Sequence, residues 1–216
     1  MRLTAVVMLC LCLMVRGLGD QLLAAPTGIS RADGESVPAE EYPVYDRVVE
    51  SKFLTSLTRV VVIERLTLAW LHPGEPIPPS ERWFDEQQPF DGRLPRDLIA
   101  DFIAKNQRPS RLEPQFRFGA RVQFVSPGGA EESDVFLGPS FAAWRRPAQE
   151  DETRLDRLAF SRVAWTLKED QALVYVANER PDGTGAGFLH WLRRQGRGWT
   201  LFDTDVIWVA HPEGRS

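Results

Sequence analysis

Beyond its first nineteen residues this 216-residue chain has no cysteine, since Cys10 and Cys12 are the only two. That part of the chain can therefore form no disulfide, no thiolate metal site and no cysteine nucleophile. Histidine is nearly as scarce. His72, His190 and His211 are the three present, and none stands in a His-x-His or His-x-x-x-His spacing, so no metal is expected. After residue 19 no apolar run approaches the about 20 residues that cross a bilayer, so no membrane span is expected there. An excess of basic charge is lacking too: the first nineteen residues hold two arginines and no acid, which leaves 24 basic against 30 acidic side chains. Such a chain is repelled by phosphate backbones. The nearest approach to a basic face, Arg193, Arg194 and Arg197 around one turn, reads as a solvated hairpin end, and no nucleic-acid partner is expected.

Catalytic signatures are equally sparse. There is no Gly-x-Ser-x-Gly elbow. Gly183-x-Gly185-x-Gly187 precedes a strand instead of opening a helix and lacks a Lys-Ser/Thr, so it reads as a hairpin loop and not as a phosphate cradle. No cofactor is implied.

What is present begins at the N-terminus. Arg2, the uncharged run Leu3 to Val15 and the small residues Gly17 and Gly19 have the layout of a secretory signal, with cleavage expected between Gly19 and Asp20. Cys10 and Cys12 lie inside the apolar run, not just after it, which argues against a lipid anchor. The expected product is an extracytoplasmic protein, periplasmic or secreted. Residues 20–38 mix Gly, Pro, Ser and charge without periodicity and read as a flexible leader. Residues 39–211 read as one domain, long enough to bury a core unaided.

Within that domain Tyr42, Tyr45, Val48, Val49 and Phe53 recur at helical spacing, predicting a helix from about Glu41 to Leu54. The β-branched run Val60 to Ile63 predicts a strand within Thr58 to Leu71, buried on both faces at first and alternating around Glu64 to Leu68. The proline-rich stretch His72 to Leu94 reads as a surface excursion pinned by Trp83 and Phe84. Leu98, Ile99, Phe102 and Ile103 mark a helix from Pro95 to Asn106, and Arg121 to Ser126 a short strand. Residues 131–146 read as partly helical, with Phe141 and Trp144 on one side. Leu158–Leu167, Ala172–Ala177, Phe188–Arg193 and Trp199–Ala210 are four strand-like runs divided by turn residues. Short connections make them an antiparallel meander. The fold class expected is α+β: an antiparallel sheet of four to six strands with a C-terminal meander, packed by two to three helices from the N-terminal half.

Few residues suggest chemistry. His190 lies within a strand beside Trp191 and reads as a polar residue on the outer sheet face, or as a base in a cleft. Asp203 and Asp205 alternate in the last strand and share a face, a spacing that suits acid–base hydrolysis or calcium as well as plain solvation. Trp165, Trp191, Trp199 and Trp208 all fall in the meander. They read mainly as core, with Trp165 on a buried face beside Val163 and Leu167, though a strip of them on an open sheet face would be a binding surface.

Leu94-Pro95, Leu98, Asp101-Phe102 and Lys105-Asn106, followed by Phe160-Ser161-Arg162-Val163-Ala164-Trp165 and Gln171 to Val176, resemble a pattern found in a group of uncharacterised exported bacterial proteins. The likeness continues through the glycine-rich loop, Gly198-Trp199 and Val206 to Val209. It spans roughly residues 41–210, is most specific over 158–210, and implies no activity or site residues. Cysteines that some of those proteins carry in the glycine-rich loop are absent from Asp182 to Gly187 here. The function expected is non-enzymatic binding of a partner protein or a small apolar ligand in the concavity of the sheet. The alternative is a hydrolase using His190 or Asp203 and Asp205.

Overall fold

Six consecutive buried residues, Ala172 to Ala177, form the centre of strand β5 (Gln171–Glu179) and send side chains into two different cores. Ala172, Val174 and Val176 enter one, and Leu173, Tyr175 and Ala177 the other. A strand alternates its side chains, so covering both faces is what turns an unbroken apolar run into a central strand. The structure, a computed structural model, describes residues 35–126, 154–180 and 183–211, with the side chains of 154–156 excepted. The expected signal, its Gly19–Asp20 cleavage, the leader through residue 34, the 131–146 helix and the turn at Pro181-Asp182 lie outside them.

The other strands are β1 (Val60–Glu64), β2 (Arg121–Val125), β3 (Arg154–Phe160), β4 (Ala164–Trp165), β6 (Gly185–Gln195) and β7 (Gly198–Ala210). They form one mixed sheet in the order β2-β1-β3-β5-β6-β7, with β4 also paired to β5. The meander β5–β6–β7 is antiparallel throughout. The expectation of an antiparallel sheet of four to six strands is corrected: among the described residues the sheet has seven strands, and β1 runs parallel to both β2 and β3. Parallel neighbours need a long crossover, and the segment between β1 and β2 supplies one that carries helices α2 (Glu81–Gln87) and α3 (Arg96–Lys105).

Helix α1 (Tyr42–Val48) runs directly into a π-helical turn at Val49–Phe53, where one continuous helix was expected. It places Val44, Tyr45 and Val48 in the first core. On the opposite face α2, α3 and a short 3-10 turn bring Phe84, Phe90, Leu98 and Phe102 to the second. Both faces of the central strand β5 are thus covered. Two further expectations are revised. The strand predicted to reach Leu71 ends at Glu64, and the proline-rich excursion contains α2, capped by Ser80.

The largest departure lies between β3 and β4. Phe160 pairs with Val176 and Ala164 with Leu173, so three residues, Ser161–Val163, stand opposite two on β5. One extra residue is a bulge, and it reverses which side later residues face. Trp165 faces the first core and is partly buried, and Leu167, in the turn after β4, is 91% exposed, whereas Arg162, Val163, Ala164 and Thr166 are buried.

Gly185 and Gly187 belong to β6, not to a loop. A Cβ on Gly187 would collide with the Trp208 indole and the Tyr175 hydroxyl, which are hydrogen bonded to each other at 2.6 Å. The glycine makes room for that buried contact.

Candidate functional site

The bulge is held by the two segments that flank it in space. Glu41, at the start of α1, is buried and accepts hydrogen bonds from Arg162 Nη2 (2.7 Å), Arg162 Nε (2.9 Å), the Val163 amide (2.8 Å) and the Tyr45 hydroxyl (3.0 Å). Arg162 also donates to Ser110 Oγ at 3.1 Å. From α3, Asn106 accepts from the Arg162 amide (2.7 Å), Asp101 from the Trp165 amide (2.7 Å) and Asp97 from the Leu167 amide (2.9 Å). Burial lowers the Arg162 pKa and the Glu41 hydrogen bonds and charge raise it, with a net upward shift. Burial and then the Glu41 charge push the Tyr45 hydroxyl well above its ordinary value.

This ion pair forms the floor of a groove of about 680 Å³. That volume is within the range of small-molecule sites. One wall is the α1 side, with Glu40, Asp46, Arg47 and Glu50; the other is the end of the β6–β7 hairpin with the β4–β5 turn. On the second wall Trp165 and Trp199 lie side by side, ring centroids 5.1 Å apart and 39° between planes, and both are partly exposed. Cations flank them: Lys105 Nζ is 5.9 Å from the Trp165 ring and the Arg194 guanidinium 5.7 Å from the Trp199 ring. Lys105 is further tied to Asp101 at 2.8 Å. Asp46 has its pKa raised, chiefly by burial, against the opposing effect of the Arg117 amide that it accepts at 2.9 Å.

The four meander tryptophans therefore separate. Trp165 and Trp199 pack at the margin of the first core and border the groove. Trp191 and Trp208 are buried in the second core, with indoles donating to Gln171 Oε1 (2.9 Å) and to the Tyr175 hydroxyl. Sequence placed all four in strands; the bulge decides that Trp165 faces the first core and not the second.

His190 and the paired aspartates do not come together. His190 pairs with Thr204, and its neighbours Leu189 and Trp191 pair with Asp205 and Asp203, so the histidine and the aspartates point to opposite faces. The outer-face placement of His190 is corrected: it is 1% exposed, under Phe53 of the π-helical turn and beside Phe188. Its Nδ1 is 3.1 Å from Thr204 Oγ1, and Nε2 has no partner. Burial, assisted by the Lys52 charge, lowers its pKa to about 3.

Asp203 and Asp205 share a face as the alternation requires, and there they clamp a left-handed turn. Phe90, Asp91 and Gly92 have φ of 58°, 57° and 69°. An aromatic residue resists that conformation. Asp205 accepts from the Phe90 amide at 2.9 Å, and Arg93 bridges the Phe90 carbonyl (2.9 Å) to Asp203 (3.0 Å). These contacts account for the pair without chemistry. Arg193 lies over the Phe202 ring, and Arg194 and Arg197 border the groove, so the hairpin end is more than a solvated turn. His72 accepts from the Gly74 amide, and His211 is exposed.

Among the described residues no three His, Cys, Asp or Glu side chains gather in a way that could hold a metal ion, and no helix is long and apolar enough to cross a membrane. No protein-family model matches the chain, and no curated protein or solved structure is similar to it. The groove combines volume, exposed aromatic surface and charge.

Proposed function

We propose that this is an exported, non-enzymatic binding domain, periplasmic or secreted, whose binding site is the groove between α1 and the β6–β7 hairpin. The observation that carries the reading is the Trp165–Trp199 pair on its wall. Two partly exposed indoles in contact, their planes inclined by 39°, offer a rigid apolar surface with little side-chain entropy to lose on binding. The occupant is a small molecule, or a segment of a partner protein, that presents a flat apolar face to them. Trp165 stands on a scaffold of hydrogen bonds that its own amide donates to Asp101 of α3 and the Val163 amide donates to Glu41, the support a preformed site requires.

The test is a binding panel of sugars, aromatic acids and aromatic amines, read by tryptophan fluorescence on the parent and on a Trp165→Ala/Trp199→Ala variant. A ligand of the parent should bind the variant about 30-fold more weakly, from ~1 kcal/mol per aromatic contact. A ligand held equally by both proteins would place the site elsewhere. Turnover of an ester, glycoside or peptide substrate would contradict a non-enzymatic role.

A further inference from the structure

The charges around the groove narrow the chemistry of its occupant, on the footing that the groove is the binding site. Several of those charges are already engaged within the protein. Glu41 holds Arg162, Lys105 holds Asp101, Asp46 accepts the Arg117 amide, and Arg47 faces Glu50 at 3.9 Å. Others are not. Among the described residues the side chains of Glu40, Glu169 and Arg197 make no ion pair or hydrogen bond, and Arg194 lies against Trp199 and not against a carboxylate. Their placement is uneven. Arg194 and Arg197 sit with Trp199 at the β6–β7 turn, Glu169 is in the β4–β5 turn near Trp165, and Glu40 is on the α1 wall.

Three demands follow for a ligand: a flat apolar face for the indoles, an anionic group for the two arginines, and hydrogen-bond donors for the separated carboxylates. An aromatic carboxylate meets the first two and leaves Glu40 and Glu169 facing no donor. A neutral sugar meets the first and third and leaves the arginines without a counter-charge. An ammonium ligand is opposed by the cations that flank the indoles. A pyranose carrying a carboxylate meets all three, because its C–H face stacks on an indole while hydroxyl donors radiate from the ring edge. Arginine is suited to the carboxylate by its planar fork of donors. We infer that the groove binds acidic sugars, with a uronic acid ring on Trp165 and Trp199, its carboxylate on Arg194 and Arg197, and its hydroxyls on Glu40 and Glu169.

The experiment is calorimetric titration of the full chain at low salt with trigalacturonate, with the neutral α-1,4-linked galactotriose, and with the tripeptide Arg-Tyr-Glu. Trigalacturonate should bind at least ten-fold more tightly than galactotriose. An Arg194→Gln/Arg197→Gln variant, altered only at exposed side chains, should lose that advantage. Added salt should narrow the gap between the two sugars in the parent. Equal affinities, an advantage that survives in the arginine variant, tighter binding of the tripeptide, or no binding of trigalacturonate would each overturn the inference. The tryptophan variant separates this failure from that of the broader reading. If the tripeptide binds and is lost with Trp165→Ala/Trp199→Ala, the groove stands as the site and its ligand is a peptide. If nothing bound senses the tryptophans, both fall.

Discussion

Replacing Glu41 by alanine is expected to destabilise the protein by about 3–5 kcal/mol, the usual consequence of leaving one member of a buried ion pair alone. The Glu41 side chain is 2% exposed and that of Arg162 9%. Removing the carboxylate strands a buried guanidinium and also deprives the Val163 amide and the Tyr45 hydroxyl of an acceptor. Arg162→Met should cost a similar amount for the converse reason. The double variant Glu41→Ala/Arg162→Met should be clearly more stable than the sum of two such losses predicts, because neither charge is then stranded. Urea melts of the four proteins close the cycle. Small, additive losses would mean that the pair does not hold the bulge in place.

The second expected result is a loss of stability in mild acid that belongs to His190. In the fold its pKa is lowered from 6.5 to about 3, so above pH 6.5 folded and unfolded states are both neutral and the histidine has no effect. As the pH falls below 6.5 the unfolded chain takes up a proton that the folded protein refuses, and stability drops by ~1.4 kcal/mol per unit. Between pH 6.5 and 4.5 the loss should reach about 2–3 kcal/mol. Phe53, Phe188 and Thr204 meet the ring and carry no charge, and the one charge acting on it, that of Lys52, works in the same direction. Elsewhere burial raises the pKa of Asp46 and Glu64 above 3.8 and 4.5, which favours the folded state in acid and opposes the trend at the low end. A His190→Asn variant carries an uncharged amide in place of the ring and does not titrate. The difference between its melts and the parent's should appear below pH 6.5 and grow steadily. Parallel stability curves would show that protons reach His190 in the folded protein.

The contrast between these two sites and the rest of the fold marks what a single sequence conveys. β5, β6 and β7 were legible because strand-like apolar runs and turn residues at Lys168–Asp170 and Gln195–Gly198 are local signals. Val60 to Ile63 announced a doubly buried strand for the same reason, and α3 showed its face through Leu98, Ile99 and Phe102. The bulge at Ser161–Val163 was not legible, since one extra residue leaves composition and hydropathy unchanged while reversing every later side chain. That single count turns Trp165 toward the first core, at whose margin it borders the groove. The parallel neighbours of β1 depend on a crossover whose partner strands no local pattern names. Glu41 and Arg162 are 121 positions apart. The only hint of their pairing was an arginine within the apolar run Phe160 to Trp165.

Two segments singled out in the sequence do meet in space. Asp101, Lys105 and Asn106 of α3 bind the backbone of Arg162, Val163 and Trp165. The spacing of those residues in each segment serves a contact that positions the groove floor and one of its tryptophans. Asp203 and Asp205 illustrate the reverse case. Their shared face was evident from alternation, but their task, holding Phe90 in a left-handed turn, depends on a loop more than a hundred residues earlier.

The most direct test of the groove as the binding site follows the indole N–H signals of the tryptophans by nuclear magnetic resonance while trigalacturonate and a set of flat aromatic and sugar fragments are titrated in. The signals of Trp165 and Trp199 should shift together and saturate at one ligand concentration, while those of Trp83, Trp191 and Trp208 stay in place. Shifts confined to Trp191 or Trp208, or ligands that bind without moving Trp165 and Trp199, would contradict the account.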